Sequence, residues 1–281
     1  MPYSQRISRT NPSCLLFLID QSGSMADSWG EESSTRKSEK VADIINRFLQ
    51  ALSIKCAREE GVRDYYHVGC IGYGLAVGSA FGGALTGREI IPLSEIANNP
   101  TRIEPRTKKV EDGAGGLVET TIKFPIWFDA VANGSTPMCQ ALSVAHGLLG
   151  NWVAQHRECF PPIVINVSDG DSTDGDPSSA AQTLRTLASS DGNILLFNAH
   201  ISARRGQSAL FPANEEALVD DHARLLFQMS DRLTDQMRAT GNASNLNLMP
   251  GARGFVFNAQ MEHLIQFIEI GTGTGAAANL R

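Results

Sequence analysis

The segment Leu15–Met25, with the sequence LLFLIDQSGSM, decides the fold of this chain. It begins as an apolar run of strand length, continues as an Asp-x-Ser-x-Ser pattern and leads into a helical sequence. A buried strand that places Asp20, Ser22 and Ser24 on one turn offers hard oxygen ligands with little net charge. Such ligands suit Mg²⁺ better than zinc or copper. The segment therefore predicts one part of a metal site, whose other ligands must lie elsewhere in the chain.

Apolar runs and helical patterns alternate along most of the chain. Runs that suit buried strands lie at 14–19, 66–73, 163–168, 193–201 and 254–258. Helices are predicted over about 41–56 and 138–153, after Asp176-Pro177, from Leu218 to Met237, and at about 260–270. This alternation predicts an α/β fold with a doubly wound, Rossmann-like and mostly parallel sheet, covered by helices on both faces. One antiparallel edge strand is expected near 75–93.

Length and composition indicate one globular unit. The chain has 281 residues, 42% of them apolar and 19% charged, which is enough to bury a sizeable core. No repeat or interdomain linker is evident, so we predict a single domain over 1–281. The Gly-rich end, at about 272–281, is expected to be a flexible tail.

Charge and cysteine content exclude several classes of function. The formal net charge of −6 argues against a broad phosphate-binding surface, so nucleic acid is not an expected partner. The five cysteines are odd in number and include no Cys-x-x-Cys pair, which predicts neither a disulfide framework nor a zinc knuckle. The apolar runs are of strand length and the N-terminus lacks a signal-peptide core. We therefore expect a cytoplasmic protein with no membrane partner.

The segment 74–134 interrupts the alternation of strands and helices. It is rich in Gly and Pro and contains a basic stretch, Arg102–Lys109. Val110 and residues 117–124 could be the two arms of a hairpin, or one edge strand and a mobile loop. We predict an edge or hairpin insertion at about 96–125, and we expect it to determine which partner is recognised, because loops on a rigid scaffold vary most.

Two further loops complement the Asp-x-Ser-x-Ser segment. Asn133–Pro137 precedes the second helix, and Ile163–Gly170 is another buried strand that ends in Asp. In an open parallel sheet such transitions gather at the carboxyl edge, where ligands bind in the crevice at which the strand order reverses. The oxygen donors predicted to converge there are Asp20, Ser22, Ser24, Thr136 and Asp169.

This order of motifs, Asp-x-Ser-x-Ser, then Thr, then Asp-Gly, resembles a von Willebrand factor A domain with a metal-ion-dependent adhesion site, over about 14–271. The resemblance implies that Ser22 and Ser24 bind the metal directly, and that Thr136 binds it directly or through water. It implies that Asp20 and Asp169 act mainly through water and by orienting the hydroxyls. In this family, a carboxylate of the partner protein takes the remaining coordination position.

The chemistry of the motif favours binding over catalysis. Hydroxyl ligands are neutral, so a bound Mg²⁺ or Mn²⁺ would keep a strong affinity for one more anionic ligand, an Asp or Glu of the partner. These motifs contain no general base to activate a metal-bound water, so we predict that the chain is not an enzyme. It resembles stand-alone intracellular bacterial members of the family from tellurite-resistance and stress operons. The resemblance implies an adaptor beside a kinase, phosphatase or ATPase in a stress, resistance or defence system.

Two alternatives remain open at the level of sequence. Ser and Asp at such turns often only cap helices, and Thr136-Pro137 is a good pair for starting one. The pattern Asp169-x-Asp171-x-Thr173 also resembles the nucleophile motif of Mg-dependent phosphatases of the haloacid dehalogenase type. That family needs a later Lys or Arg and a late acidic pair. This chain has no Lys after Lys123, and its Asp220-Asp221 pair falls in or just before a helix.

Overall fold

The computed structural model describes residues 2–29, 34–111, 117–201, 208–218, 220–259 and 261–271. The predicted tail at 272–281 lies outside these residues. The main strands are β1 (Ser13–Asp20), β2 (Tyr66–Tyr73), β3 (Val77–Ser79), β4 (Ile90–Pro92), β5 (Arg102–Glu111), β6 (Leu117–Ile126), β7 (Ile163–Ser168), β8 (Leu195–His200), β9 (Ala209–Leu210) and β10 (Phe255–Phe257). The helices are α1 (Lys37–Cys56), α2 (Leu93–Asn98), α3 (Met138–Gln155), α4 (Ser178–Leu184), α5 (Asp221–Met229), α6 (Asp235–Ala243) and α7 (Met261–Gly271).

The central sheet is mostly parallel, as predicted. Its strands lie in the order β9-β10-β8-β7-β1-β2-β3, and β4 also pairs with β2. The five strands from β10 to β2 are parallel to their neighbours. The chain passes from β1 to β2 on one side and later returns to place β7 on the other side, so the order reverses at β1. The doubly wound fold is confirmed.

Helices cover both faces of the sheet. The central strand β1 contributes apolar side chains to the core on each face. All eight residues of β1 are buried. Leu15, Phe17 and Ile19 pack into a core with α1, α6 and α7, whereas Leu16 and Leu18 pack into a second core with α3, α4 and α5. Each such side chain contributes about 1.5–3 kcal/mol to folding when it is fully buried.

The sheet has antiparallel strands at both edges, whereas the sequence predicted an antiparallel strand at one edge only. β3 and β4 pair antiparallel with β2, in the expected region of the chain. At the opposite edge, the two-residue strand β9 pairs antiparallel with β10. Sequence periodicity did not reveal β9, because two residues are too short to show an alternating pattern.

The fourth predicted helix is two helices, α5 and α6, so that prediction was wrong in its extent. Between them the chain turns at Asp231, whose carboxylate accepts the N–H of Leu196 at 2.8 Å. α6 then starts anew, because the hydroxyl of Thr234 accepts the N–H of Met237 at 3.2 Å as an N-cap. The spacing of apolar residues fits a single helix, but the turn at Asp231 and the new N-cap at Thr234 divide it into two.

The insertion forms the hairpin that was one of the two predicted possibilities. β5 and β6 pair antiparallel over ten residues each and make a separate two-stranded sheet. The guanidinium of Arg106 is paired with Asp43 of α1 and lies over the ring of Phe124. This contact fastens the middle of the hairpin to α1.

Two remaining observations concern the whole of the described chain. None of its helices is long and apolar enough to cross a membrane. The five cysteines are all free thiols, and four of them are buried.

Candidate metal centre

The three predicted loops lie at the carboxyl edge of the sheet, around the point where the strand order reverses. Asp20 is the last residue of β1, and Asp169 follows directly after β7, the neighbour of β1. The loop 133–137 leads into α3, which covers one face of the same strands. This is the position at which open α/β sheets bind ligands.

Asp20 is a buried carboxylate that the fold holds through both of its oxygens. Oδ1 accepts the backbone N–H of Ser22 at 2.9 Å, and Oδ2 accepts the hydroxyl of Ser168 at 2.7 Å. Burial raises the pKa of Asp20, although the hydrogen bonds from these two serines oppose that shift. A cation beside the carboxylate would favour its charged form.

The hydroxyls of Ser22 and Ser24 lie next to each other and next to Asp169. The two Oγ atoms are 3.0 Å apart, and Oγ of Ser24 donates to Oδ1 of Asp169 at 2.7 Å. Adjacent ligands of an octahedral Mg²⁺, each about 2.0–2.1 Å from the ion, are separated by about 2.9 Å. The spacing of the two hydroxyl oxygens therefore fits one edge of such an octahedron, and Asp169 holds the Ser24 hydroxyl in place.

The loop that carries Thr136 is hydrogen-bonded to the loop that carries the two serines. The N–H of Asn133 donates to the carbonyl of Gln21 at 2.6 Å, and the N–H of Gly23 donates to the carbonyl of Gly134 at 3.0 Å. Gly134 has a φ of +91°, a conformation that favours glycine. These bonds bring the buried Thr136 beside the first loop.

Helix capping does not account for Ser22 or Thr136. Ser22 precedes a 3₁₀ turn at Gly23–Ala26 without a capping bond from its side chain. At the start of α3 the cap comes from Asp174, whose two carboxylate oxygens accept the N–H groups of Cys139 at 3.0 Å and Gln140 at 2.9 Å. No local sequence pattern reveals that Asp174 caps α3, because Asp174 and Cys139 are 35 residues apart in the chain.

Lys37, the first residue of α1, belongs to the same cluster, and sequence patterns did not identify it. Its side chain is only 6% exposed, and Nζ lies 2.6 Å from Oδ2 of Asp169, whose side chain is 1% exposed. Nζ is also 3.5 Å from the carbonyl of Ser24 and 3.5 Å from Oδ2 of Asp27. No sequence motif near Lys37 indicates a role at the centre, because its partner Asp169 is more than a hundred residues away in the chain.

The second acidic residue of the phosphatase-like motif is exposed, unlike Asp20 and Asp169. The side chain of Asp171 is 82% exposed, and its Oδ1 lies 2.9 Å from Nδ1 of His222. Asp220 caps α5 by accepting the N–H of Ala223 at 2.6 Å, and Asp221 pairs with Arg224. Both members of the late acidic pair therefore make their contacts at the start of α5.

The predicted metal ligands comprise three hydroxyl groups and two carboxylates. Among the residues that the structure describes, no three His, Cys, Asp or Glu side chains come together as a metal cluster. Of the predicted ligands, Ser22, Ser24 and Thr136 are neutral. Neutral oxygens suit Mg²⁺ or Mn²⁺ and not zinc.

Comparison with known proteins gives partial matches to solved structures only. No family model matches the chain, and neither does any curated protein. The vWF domain of the type V pili tip protein from Porphyromonas gingivalis is 16% identical over 58% of this chain and 39% of that chain, with a TM-score of 0.31. The PilB minor pilin from Streptococcus sanguinis is 9% identical over 94% of this chain and 61% of that chain, with a TM-score of 0.45. This chain thus covers less than two thirds of either protein.

Proposed function

We propose that this chain is a divalent-metal-dependent protein-binding module, which captures an Asp or Glu of a partner protein at the centre formed by Asp20, Ser22, Ser24, Thr136 and Asp169. One observation carries the proposal. The hydroxyls of Ser22 and Ser24 lie 3.0 Å apart, and that of Ser24 lies 2.7 Å from the Asp169 carboxylate. Hydroxyls in this arrangement would hold Mg²⁺ or Mn²⁺ with little neutralisation of its charge. The bound ion would supply a coordination position for the partner carboxylate.

Each of the five residues of the centre has a role in this proposal. Ser22 and Ser24 would hold the ion through their hydroxyls, and Thr136 would do so directly or through water. Asp20 would orient the first loop, since one of its oxygens accepts the N–H of Ser22. Asp169 would orient the hydroxyl of Ser24, which donates to it. Such orienting bonds commonly tune metal sites.

The surroundings of the centre favour binding over hydrolysis. Both oxygens of Asp20 already accept hydrogen bonds, and both oxygens of Asp169 are engaged by Ser24 and Lys37. Burial, and then repulsion by His222, lower the pKa of His200, which interacts electrostatically with Asp169, to about 4, and this is too low for an efficient general base near neutral pH.

The resemblance in sequence motifs suggests the biological setting. We infer a von Willebrand factor A domain of the cytoplasmic bacterial type, which acts as an adaptor in a stress, resistance or defence system. Its partner would be a protein from the same operon, such as a kinase, phosphatase or ATPase. This inference rests on analogy with the family and not on the geometry of the centre.

A pull-down from the native cell tests the proposal. The wild type should capture a partner in Mg²⁺ and release it when a chelator is added. Asp20→Ala and Ser22→Ala should capture nothing in either condition. Asp235→Ala is a matched control, because Asp235 is an exposed carboxylate on α6 that pairs only with Arg238 among the described residues. Equal capture by all four proteins would refute the proposal.

One observation favours a second candidate, a haloacid dehalogenase-type phosphatase that uses Asp169 and Asp171. Lys37 lies 2.6 Å from Asp169 and would supply the lysine for the phosphate, since the chain has no Lys after Lys123. Against this candidate, Asp171 is 82% exposed. Release of phosphate from an aryl phosphate in Mg²⁺, abolished by Asp169→Asn, would establish the phosphatase; no turnover is the result that the binding module predicts.

A further inference from the structure

Lys37 places a basic side chain inside the candidate metal centre. Lysine side chains are almost never fully buried unless they are paired, because removing an ammonium from water is costly. The Lys37 side chain is 6% exposed and pairs with Asp169 at 2.6 Å. The other carboxylate near it, Asp27, is 3.5 Å away and 65% exposed. Asp169 is therefore the buried counter-ion of Lys37.

Asp169 would consequently serve two cations at once. Its Oδ2 atom accepts from Nζ of Lys37, whereas Oδ1 accepts from the hydroxyl of Ser24, one of the proposed metal ligands. A divalent ion on the serine hydroxyls would share this carboxylate with the ammonium. The ion and the ammonium, on either side of one buried carboxylate, would repel each other, and water screens that repulsion little.

A count of charges shows what the ammonium does for partner binding. Asp20 and Asp169 supply two negative charges, which a divalent ion alone would balance. Lys37 adds one positive charge, so that the loaded centre would carry a net positive charge that a partner carboxylate neutralises. Asp27 lies at the exposed rim, where solvent reduces its effect.

We propose that Lys37 is a built-in competitor of the metal ion, which keeps the affinity of the centre for the ion low until a partner carboxylate binds beside it. The proposal rests on the proposed function, since it assumes the metal centre. It makes the binding of ion and carboxylate interdependent: each ligand raises the affinity for the other by the same factor. Without its ion, the same ammonium keeps Asp169 paired and the centre folded.

Titration with Mn²⁺ alone, followed by electron paramagnetic resonance, tests this role. The proteins are the wild type, Lys37→Met, Lys37→Gln and Lys37→Arg, with Lys40→Met as a control three residues along the same helix. Lys37→Gln keeps a hydrogen-bond donor near Asp169 without the charge, so it remains informative if Lys37→Met does not fold. We expect Lys37→Met and Lys37→Gln to bind Mn²⁺ at least about tenfold more tightly than the wild type. Lys37→Arg and Lys40→Met should bind it about as weakly as the wild type.

Two additional measurements separate this inference from the proposed function. In chelator, Lys37→Met should melt at a lower temperature than the wild type, because Asp169 loses its counter-ion, and Mn²⁺ should reverse the order. Acetate should raise the Mn²⁺ affinity of the wild type more than that of Lys37→Gln. Equal Mn²⁺ affinities in the wild type, Lys37→Met and Lys37→Gln would overturn the role of Lys37 and leave the metal centre intact. Absence of Mn²⁺ binding from every protein would overturn the proposed function and this inference with it.

Discussion

The hydroxyl of Ser168 donates a 2.7 Å hydrogen bond to Oδ2 of Asp20 and thereby joins the carboxyl ends of two neighbouring strands, β7 and β1. Both side chains are fully buried. The bond fixes the carboxylate whose other oxygen holds the backbone of Ser22. Ser168 thus supports the candidate metal centre without being one of the five predicted ligands.

Replacing Ser168 by Ala should leave one oxygen of the buried Asp20 without its donor. Hydrogen bonds to charged groups contribute about 1.5–3 kcal/mol, so we expect the free energy of unfolding in chelator to fall by about that amount. Urea denaturation measures the change. Ser179→Ala, on the exposed side of α4, is the control and should change little. Equal stability of the two variants would show that the bond does not hold Asp20.

The contact of Gly134 with the loop after β2 predicts a second effect. An added Cβ would lie 2.4 Å from the backbone nitrogen of Leu75, and φ at Gly134 is +91°. Gly134→Ala should therefore destabilise the protein by at least about 1–3 kcal/mol and displace the loop of Thr136.

Gly147 in α3 is the matched control for Gly134, because a Cβ there would meet nothing within 4 Å. Gly147→Ala should stabilise the protein by about 0.5–1 kcal/mol, since alanine favours the helix. Thermal denaturation of both variants gives the comparison. A Gly134→Ala variant as stable as the wild type would contradict the close packing of the two loops.

A buried polar network behind the centre yields a third prediction. The hydroxyl of Tyr73 donates to Oδ1 of Asn166 at 2.7 Å, and the amide of Asn166 donates to Oδ1 of Asn198 at 3.0 Å. Tyr73→Phe should cost about 1–3 kcal/mol of stability, because the buried Asn166 oxygen loses its donor. Tyr66→Phe is the control, since the hydroxyl of this buried tyrosine makes no hydrogen bond to the described residues. A loss of similar size in both variants would contradict the network.

His200 should make stability depend on pH in a definite direction. Burial, and then repulsion by His222, lower its pKa from 6.5 to about 4, so the unfolded chain takes up a proton before the folded chain does. The contribution of neutral His200 is complete above pH 6.5 and is lost as the pH falls from 6.5 towards 4. By pH 5 the loss should be about 2 kcal/mol.

Comparison with His200→Gln isolates this effect from that of the other histidines. Between pH 7.5 and pH 5, in chelator, the wild type should lose about 2 kcal/mol more of its unfolding free energy than the variant does. Urea denaturation at the two values gives the difference. Parallel losses would show that His200 titrates normally in the folded protein.

The sequence predicts the parts of this molecule that depend on local pattern. The strand that ends at Asp20 and the long helix α1 follow from apolar spacing, and Ser22 and Ser24 follow from a motif of a few residues. The partners of Asp20 and Asp169 could not be predicted in this way. Ser168 and Lys37 reach them only through the fold, and neither residue type is distinctive in its own segment. Two-residue strands, and helix caps supplied by another loop, could not be predicted from local pattern either.

Binding of Mn²⁺ to the wild type and to Ser22→Ala, in the absence of any partner, tests the central claim most directly. Electron paramagnetic resonance counts free and bound ions in each protein. The metal centre predicts one Mn²⁺ per wild-type chain and a large loss of affinity in Ser22→Ala, while circular dichroism shows that both are folded. No bound ion in the wild type, or an ion bound equally well by Ser22→Ala, would contradict it.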